Sequence, residues 1–134
     1  VNIKHLKNRN FSRISGGEQQ MVLIARAIAQ QTKIIIMDEP CSNLDYGNQI
    51  KVMKALKNLA KQGYLVIQST HNPDHVFFFA DEVLVILEGK VGAAGQADRI
   101  LTEELLRRIY GINVNLHEIQ GRRLKFCVPD EREI

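Results

Sequence analysis

The stretch that most limits how this chain can fold is Lys33-Ile34-Ile35-Ile36-Met37-Asp38-Glu39, closed by Pro40. Three isoleucines and a methionine, too short a run for a helix and rich in β-branched residues, predict a strand buried on both faces. The run ends at two adjacent carboxylates and at a proline, which has no N–H to give to a sheet ladder. In open α/β sheets, ligands gather beyond the carboxyl ends of the strands, so a paired acid there marks a candidate site. Alternation along a strand sends Asp38 and Glu39 to opposite sides, which would let them hold different jobs. The plain alternative is a strand that ends in solvated acids.

The flanking chain supplies the partners a strand needs. Ser15-Gly16-Gly17-Glu18 opens an apolar-rich helix carrying Met21 to Ala29, with Ser15 and Glu18 spaced as a capping box. After the polar loop Cys41-Ser42-Asn43-Leu44-Asp45, a second helix is predicted over 47–61, facing inward with Ile50, Met53, Ala55, Leu56, Leu59 and Ala60 and stopped by Gly63. Tyr64 to Gln68 reads as a second buried strand, ending at Ser69-Thr70-His71. Two strands joined by one helix make a right-handed βαβ unit and hence a parallel sheet. A short helix is expected over 73–79, then a strand from Glu82 to Leu87 that turns at Glu88-Gly89-Lys90 into a hairpin with 91–95. Thr102 caps a helix over 103–110, with acids in its first turn and Arg107 and Arg108 in its last, as the dipole favours. Two short strand candidates lie near 112–117 and 123–128. Residues 1–12 are polar and weakly patterned, and read as the tail of something that began earlier.

Composition narrows the class. The 134 residues amount to one domain with room for a real core, and the 45% apolar and 25% charged shares are ordinary for a globular protein. A net charge of +3 is mild, and Arg107, Arg108, Arg122, Arg123 and Lys125 are spread through the last quarter. That predicts a solvated face and no nucleic-acid partner. No stretch approaches the roughly 18 apolar residues of a membrane span, and no signal peptide opens the chain. Cys41 and Cys127 have no metal or redox spacing, which suits a reducing compartment.

Four motifs then fall in a recognisable order. Ile14-Ser15-Gly16-Gly17-Glu18-Gln19-Gln20 resembles the signature motif of ABC-type ATPases, with Ile14 for the usual Leu and Glu18 where Gln is commonest. Ile34 to Glu39 resembles their Walker B strand with its catalytic glutamate. Ser42-Asn43-Leu44-Asp45 is similar to their D-loop, and His71 stands where their switch histidine would. The resemblance covers essentially the whole chain. It implies an α/β fold, a partial P-loop NTPase (ABC ATPase) fold with a parallel sheet core, flanking helices and a C-terminal β-hairpin, lacking the Walker A half. Within that one domain, residues 1–32 would end the helical subdomain, 33–95 would carry the catalytic core strands, and 96–134 would form a C-terminal extension.

The resemblance also implies ATP and Mg²⁺ as cofactors and assigns roles. Asp38 would hold Mg²⁺ through water, since Mg²⁺ keeps part of its hydration shell. Glu39 would orient and partly deprotonate the attacking water, general-base work worth roughly 10²–10⁴-fold in rate. His71 would donate to the γ-phosphate or orient the water. Ser15, Gly16 and Gly17, with Glu18, would meet the γ-phosphate held by a second ATPase subunit in a head-to-tail dimer. Asp45 would cap its helix and touch that partner. On physics alone, Gly16 and Gly17 clear side chains from a helix N-terminus, where N–H groups and the dipole favour an anion; a well-capped helix is the bland alternative. A lone His after a strand is more often structural, and only its place in the series singles out His71. His5, His75 and His117 read as surface or packing residues, and nothing activates Cys41.

Finer wording points to a subfamily. Leu44-Asp45-Tyr46-Gly47-Asn48-Gln49, Thr70-His71-Asn72-Pro73-Asp74-His75 and Thr102 to Gly111 resemble ATPase subunits of importers for iron chelates, cobalamin and related metal complexes. Those subunits drive an integral-membrane permease, which implies a cytoplasmic place on the inner face of a bacterial or archaeal plasma membrane.

A P-loop, Gly-x-x-x-x-Gly-Lys followed by Ser or Thr, is not among these residues. The only Gly-Lys is Gly89-Lys90, followed by Val91 and with Leu84 where the first glycine belongs. No glutamine precedes Gln19, so the family's upstream switch glutamine is missing, as is an aromatic adenine-stacking segment. The chain therefore reads as the C-terminal part of an ABC ATPase subunit. Alone it is expected neither to hydrolyse ATP nor to bind it with family-like affinity, and to cover the surface left by the missing strand through self-association or repacking. Two alternatives stay open: a short non-catalytic protein docking on a full-length ATPase, and a soluble ABC ATPase acting on nucleic acid or ribosomes. The latter would carry long heptads or basic insertions, and neither appears.

Overall fold

The computed structural model describes residues 2–121 and 124–133, which fall into two compact units divided between His71 and Asn72. The boundary lies inside the stretch expected to hold the core strands.

The first unit begins with two 3₁₀ turns, Lys4–Leu6 and Phe11–Arg13, and Leu6 is buried there although the sequence of this segment is weakly patterned. Helix α1, Gly16–Ala29, starts at a complete capping box. The Glu18 N–H donates to Ser15 Oγ at 3.3 Å and the Ser15 N–H to Glu18 Oε2 at 2.9 Å, so two orphan donors of the helix end are satisfied reciprocally. Strand β1 is Ile34–Met37, helix α2 Tyr46–Lys61 and strand β2 Leu65–Gln68. The strands pair in parallel, from Ile34 opposite Leu65 to Met37 opposite Gln68, as a single crossover helix requires. Asp45 caps α2, accepting the Asn48 N–H at 2.9 Å, and Gly63 follows its end at φ +89°.

Two expectations need correction here. Of the α2 residues expected to face inward, Met53, Leu56 and Leu59 are buried, but Ile50, Ala55 and Ala60 are only half-buried, and Val52, outside that expected face, is completely buried. Val52, Leu56 and Leu59 lie at i, i+4 and i+7, so the true stripe is turned slightly from the one expected. The sheet, moreover, is buried on one face only. Ile35 is buried, whereas Ile36 is 73% exposed and Ile34, Leu65 and Ile67 are also exposed. Helix α2 packs on one side, and alternation leaves these four side chains on the other, uncovered side.

In the second unit, Asn72 caps helix α3, Pro73–Phe79, accepting the N–H groups of Asp74 and His75, with Pro73 at the first helical position. Strands β3, Val83–Leu87, and β4, Lys90–Gly95, form an antiparallel hairpin. Glu88 and Gly89 both take positive φ, the turn whose twist matches flanking strands. A four-residue helix, α4 (Ala97–Ile100), is too short to leave a periodic signal in the sequence. Helix α5, Glu103–Tyr110, runs from the Thr102 cap to Gly111 at φ +73°. Strands β5, Val114–Glu118, and β6, Lys125–Pro129, pair antiparallel; position 123, where the second was expected to begin, lies outside the described residues. The core of this unit is Val85, Ala97, Leu101, Leu106 and Val114. His75 is buried as a packing residue, and His117 stacks on its cross-strand neighbour Phe126 at 5.5 Å. Among the described residues no helix is long and apolar enough to cross a membrane.

Candidate active site

The parallel ladder continues one step past β2, because the Ser69 N–H donates to the Met37 carbonyl at 3.0 Å. That step sets Ser69 beside the acids at the carboxyl end of β1. The Ser69 hydroxyl donates to Asp38 Oδ1 at 2.5 Å and accepts the Glu39 N–H at 2.9 Å. Glu39 has left strand geometry, with φ at +40°, a region costly to a residue with a Cβ. Its backbone is held from both ends, since its carbonyl accepts the Ser42 N–H and the Ser42 hydroxyl, each at 3.0 Å. The Glu39 carboxylate meets His71, Oε1 to Nδ1 at 3.1 Å. A carboxylate only accepts, so Nδ1 carries the shared proton.

Asp38 meets Ser69 through its carboxylate, whereas Glu39 meets it only through its backbone N–H and sends its own carboxylate to His71. β1 stops at Met37, so at Glu39 the turn's own φ replaces strand alternation. The group is open to water: the Glu39 side chain is 44% exposed and that of His71 75%. Their attraction is accordingly screened and serves alignment more than stability. Cys41, next in the loop, is buried, and desolvation pushes its thiol pKa up, which makes it a poor nucleophile.

The remaining predicted residues form a second group at the N-termini of α1 and α2. A Cβ at Gly17 would lie 2.6 Å from Asn48 Cγ, and one at Gly16 would lie 3.3 Å from Leu44 Cδ2. Both glycines therefore let the first turn of α1 approach the loop and helix that follow β1. Asn48 is itself fastened to Asp45 through its N–H at 2.9 Å and its Nδ2 at 2.6 Å. Hydrogen bonds from Ser15 hold the Glu18 pKa below its usual value, helped by His5 at 3.5 Å, and the Asn48 N–H does the same for Asp45. Glu18 is thus occupied as a cap. The first-turn N–H groups that the capping box leaves over are those of Gly16 and Gly17.

So the structure gathers Asp38, Glu39 and His71 into one network and Ser15, Gly16, Gly17, Glu18 and Asp45 into another. Ser69, Ser42 and Asn48 belong to these networks too; Ser42 and Asn48 lie within the motifs quoted above, but none of the three carries a role there. Extending the parallel register one residue beyond each strand would have found Ser69, opposite Asp38. Among the described residues no cluster of three or more His, Cys, Asp or Glu could cage a metal. Asp38 Oδ2, however, has no hydrogen-bond partner there. One hard carboxylate oxygen fits Mg²⁺, which is usually held by one or two carboxylates, water and substrate phosphates.

The family described as ABC transporter matches residues 1–42. An uncharacterised ABC transporter ATP-binding protein of Haemophilus influenzae is 50% identical over 111 residues, covering 82% of this chain and 42% of that protein. The hemin import ATP-binding protein HmuV of Rhodococcus jostii is 38% identical over 127 residues, covering 93% of this chain and 44% of its own. A solved metal-chelate type ABC transporter in an inward-facing conformation aligns with a TM-score of 0.89 at 33% identity, over 98% of this chain and 54% of that one. The chain belongs to the ABC transporter ATP-binding family. It corresponds to the C-terminal part of such a subunit and has the matching part of the α/β, P-loop NTPase fold of an ABC ATPase. It spans about half the length, or less, of the relatives it matches.

Proposed function

We propose that these residues are the hydrolytic part of the ATP-binding subunit of an importer for an iron chelate, cobalamin or related metal complex. The observation that carries the reading is the network at the end of β1, where Ser69 joins the Asp38 carboxylate to the Glu39 N–H and His71 holds the Glu39 carboxylate. The hemin-importing relative and the metal-chelate type transporter support the substrate class. The subunit would work as a head-to-tail dimer on the inner face of a plasma membrane, under an integral-membrane permease.

In this reading Asp38 offers Oδ2 toward the Mg²⁺ that accompanies ATP. Mg²⁺, when bound, neutralises charge on the phosphates during phosphoryl transfer. His71 holds one oxygen of Glu39, and the other, Oε2, takes the proton of the attacking water. Ser15 and the N–H groups of Gly16 and Gly17 meet the γ-phosphate bound to the partner subunit, where a helix N-terminus favours an anion. Asp45 and its loop line the same dimer contact. Because no P-loop is present among the 134 residues, this chain alone turns over no ATP.

A chimera tests this, with these residues replacing the matching part of the Haemophilus influenzae relative. The chimera is expected to hydrolyse MgATP, whereas the 134 residues alone give no binding in a micromolar MgATP titration. A chimera that binds MgATP yet never hydrolyses it would overturn the assignment of the β1 network.

A further inference from the structure

We infer that Ser69 is a positioning residue for ATP hydrolysis: its single hydroxyl fixes the metal-facing acid and the water-activating acid relative to each other. The inference rests on the hydrolytic reading above and adds a residue that reading did not require.

Three observations carry it. The Ser69 hydroxyl touches both acids at once, as donor to Asp38 Oδ1 at 2.5 Å and acceptor from the Glu39 N–H at 2.9 Å. A hydroxyl has one proton and two lone pairs, so it is the smallest group that can serve both contacts. Second, Ser69 is itself anchored, because its N–H closes the next rung of the parallel ladder on the Met37 carbonyl at 3.0 Å. The reference point is therefore the sheet and not a loose loop. Third, Glu39 needs such an anchor, since its φ of +40° is sparsely populated for a residue with a side chain. With its N–H on Ser69 and its carbonyl on Ser42, the peptide on each side of Glu39 is fixed, and with it the direction of the carboxylate.

The consequence for Asp38 follows from the same bond. Ser69 occupies Oδ1, so the carboxylate cannot rotate freely, and Oδ2 is the oxygen left for a cation or its bound water. Geometry held to a fraction of an ångström is what phosphoryl transfer asks of such residues. Ser69 touches neither nucleotide nor water in this account; it acts through its neighbours.

The test uses Ser69→Ala and Ser69→Thr in two settings. In the full 134-residue chain, without nucleotide, hydrogen exchange of the Glu39 amide is followed by NMR. It is expected to speed up at least tenfold in Ser69→Ala and to stay near wild type in Ser69→Thr, which keeps the hydroxyl, while the β1 and β2 ladder amides are unchanged. In the chimeric subunit, Ser69→Ala is expected to lower kcat at least tenfold and to raise the Mg²⁺ concentration for half-maximal rate several-fold, with the KM for ATP within twofold; Ser69→Thr restores most of both. An unmoved Glu39 amide in Ser69→Ala overturns the inference, as does an unchanged kcat and Mg²⁺ dependence in a chimera that is active. Equal losses in the Ala and Thr variants overturn it too. A wild-type chimera with no hydrolysis would instead overturn the hydrolytic reading, and the Glu39 exchange rate would still decide whether Ser69 positions that residue.

Discussion

Replacing Gly17 by alanine separates the two reasons a glycine can stand at the start of α1. Intrinsic helix preference favours the change, by up to about 1 kcal/mol in a helix interior. Packing opposes it, because the new Cβ would lie 2.6 Å from Asn48 Cγ, 2.8 Å from its Oδ1 and 2.9 Å from its Cβ. Asn48 cannot swing aside cheaply, since its Nδ2 is held by the Asp45 carboxylate at 2.6 Å. Overpacking of this kind costs about 1–3 kcal/mol. The steric cost wins, and Gly17→Ala should be destabilised by roughly 1–2 kcal/mol, a fall in Tm of about 3–10 °C for a chain of this size. Gly16→Ala is the control, because its Cβ would meet only the flexible end of Leu44 at 3.3 Å; it should stay within about 0.5 kcal/mol of wild type. Urea unfolding of the two single variants and of Gly17→Ala with Asn48→Ala measures this. The pair should be less destabilised than the sum of its members, by about 1 kcal/mol, since removing the Asn48 side chain vacates the space. A Gly17→Ala chain as stable as wild type, or strictly additive losses, would refute the packing account of the signature glycine.

Other consequences are simpler to state. Ile36, at 73% exposure, sits on the uncovered face of β1 and β2, and a patch of this kind favours association. Sedimentation should find the wild-type chain self-associated at high concentration and Ile36→Glu shifted to monomer with little change in Tm; a wild-type chain that stays monomeric would count against this. The cap carboxylates set an acid dependence. Glu18 titrates below its usual 4.5, chiefly through the Ser15 hydrogen bonds. A carboxyl held low contributes stability above its unfolded value, and loses it as pH falls through the folded one. The Tm gap between wild type and Glu18→Gln should therefore be full at pH 7 and shrink below pH 4.5, and a gap independent of pH would contradict the capping box.

Much of this was legible in the residues. Caps and stops announced themselves, because Ser15, Asp45, Thr102 and Gly63 each satisfy backbone groups within their own few residues, a purely local matter. Motif order singled out Asp38, Glu39 and His71, which lie together at the end of β1. What was hidden depends on distant partners. Three isoleucines in a row cannot say whether both faces of their strand are covered, since coverage depends on what else packs there. The rotation of α2 that buries Val52 is set by the sheet beneath it and not by apolar spacing alone. Ser69 was hidden for the same reason: its role exists only once β2 is laid in register against β1, which sets its hydroxyl between the Asp38 carboxylate and the Glu39 N–H.

In the proposed hydrolysis Glu39, aligned by His71 and Ser69, takes the proton from the attacking water. The most direct measurement is single-turnover hydrolysis of MgATP by the chimeric subunit, with Glu39 intact and as Glu39→Gln, alongside nucleotide-driven dimerisation. The account predicts that the Gln variant still binds MgATP and dimerises, while hydrolysis falls by about 10²-fold or more. A Gln variant that hydrolyses ATP within a few-fold of wild type would contradict it.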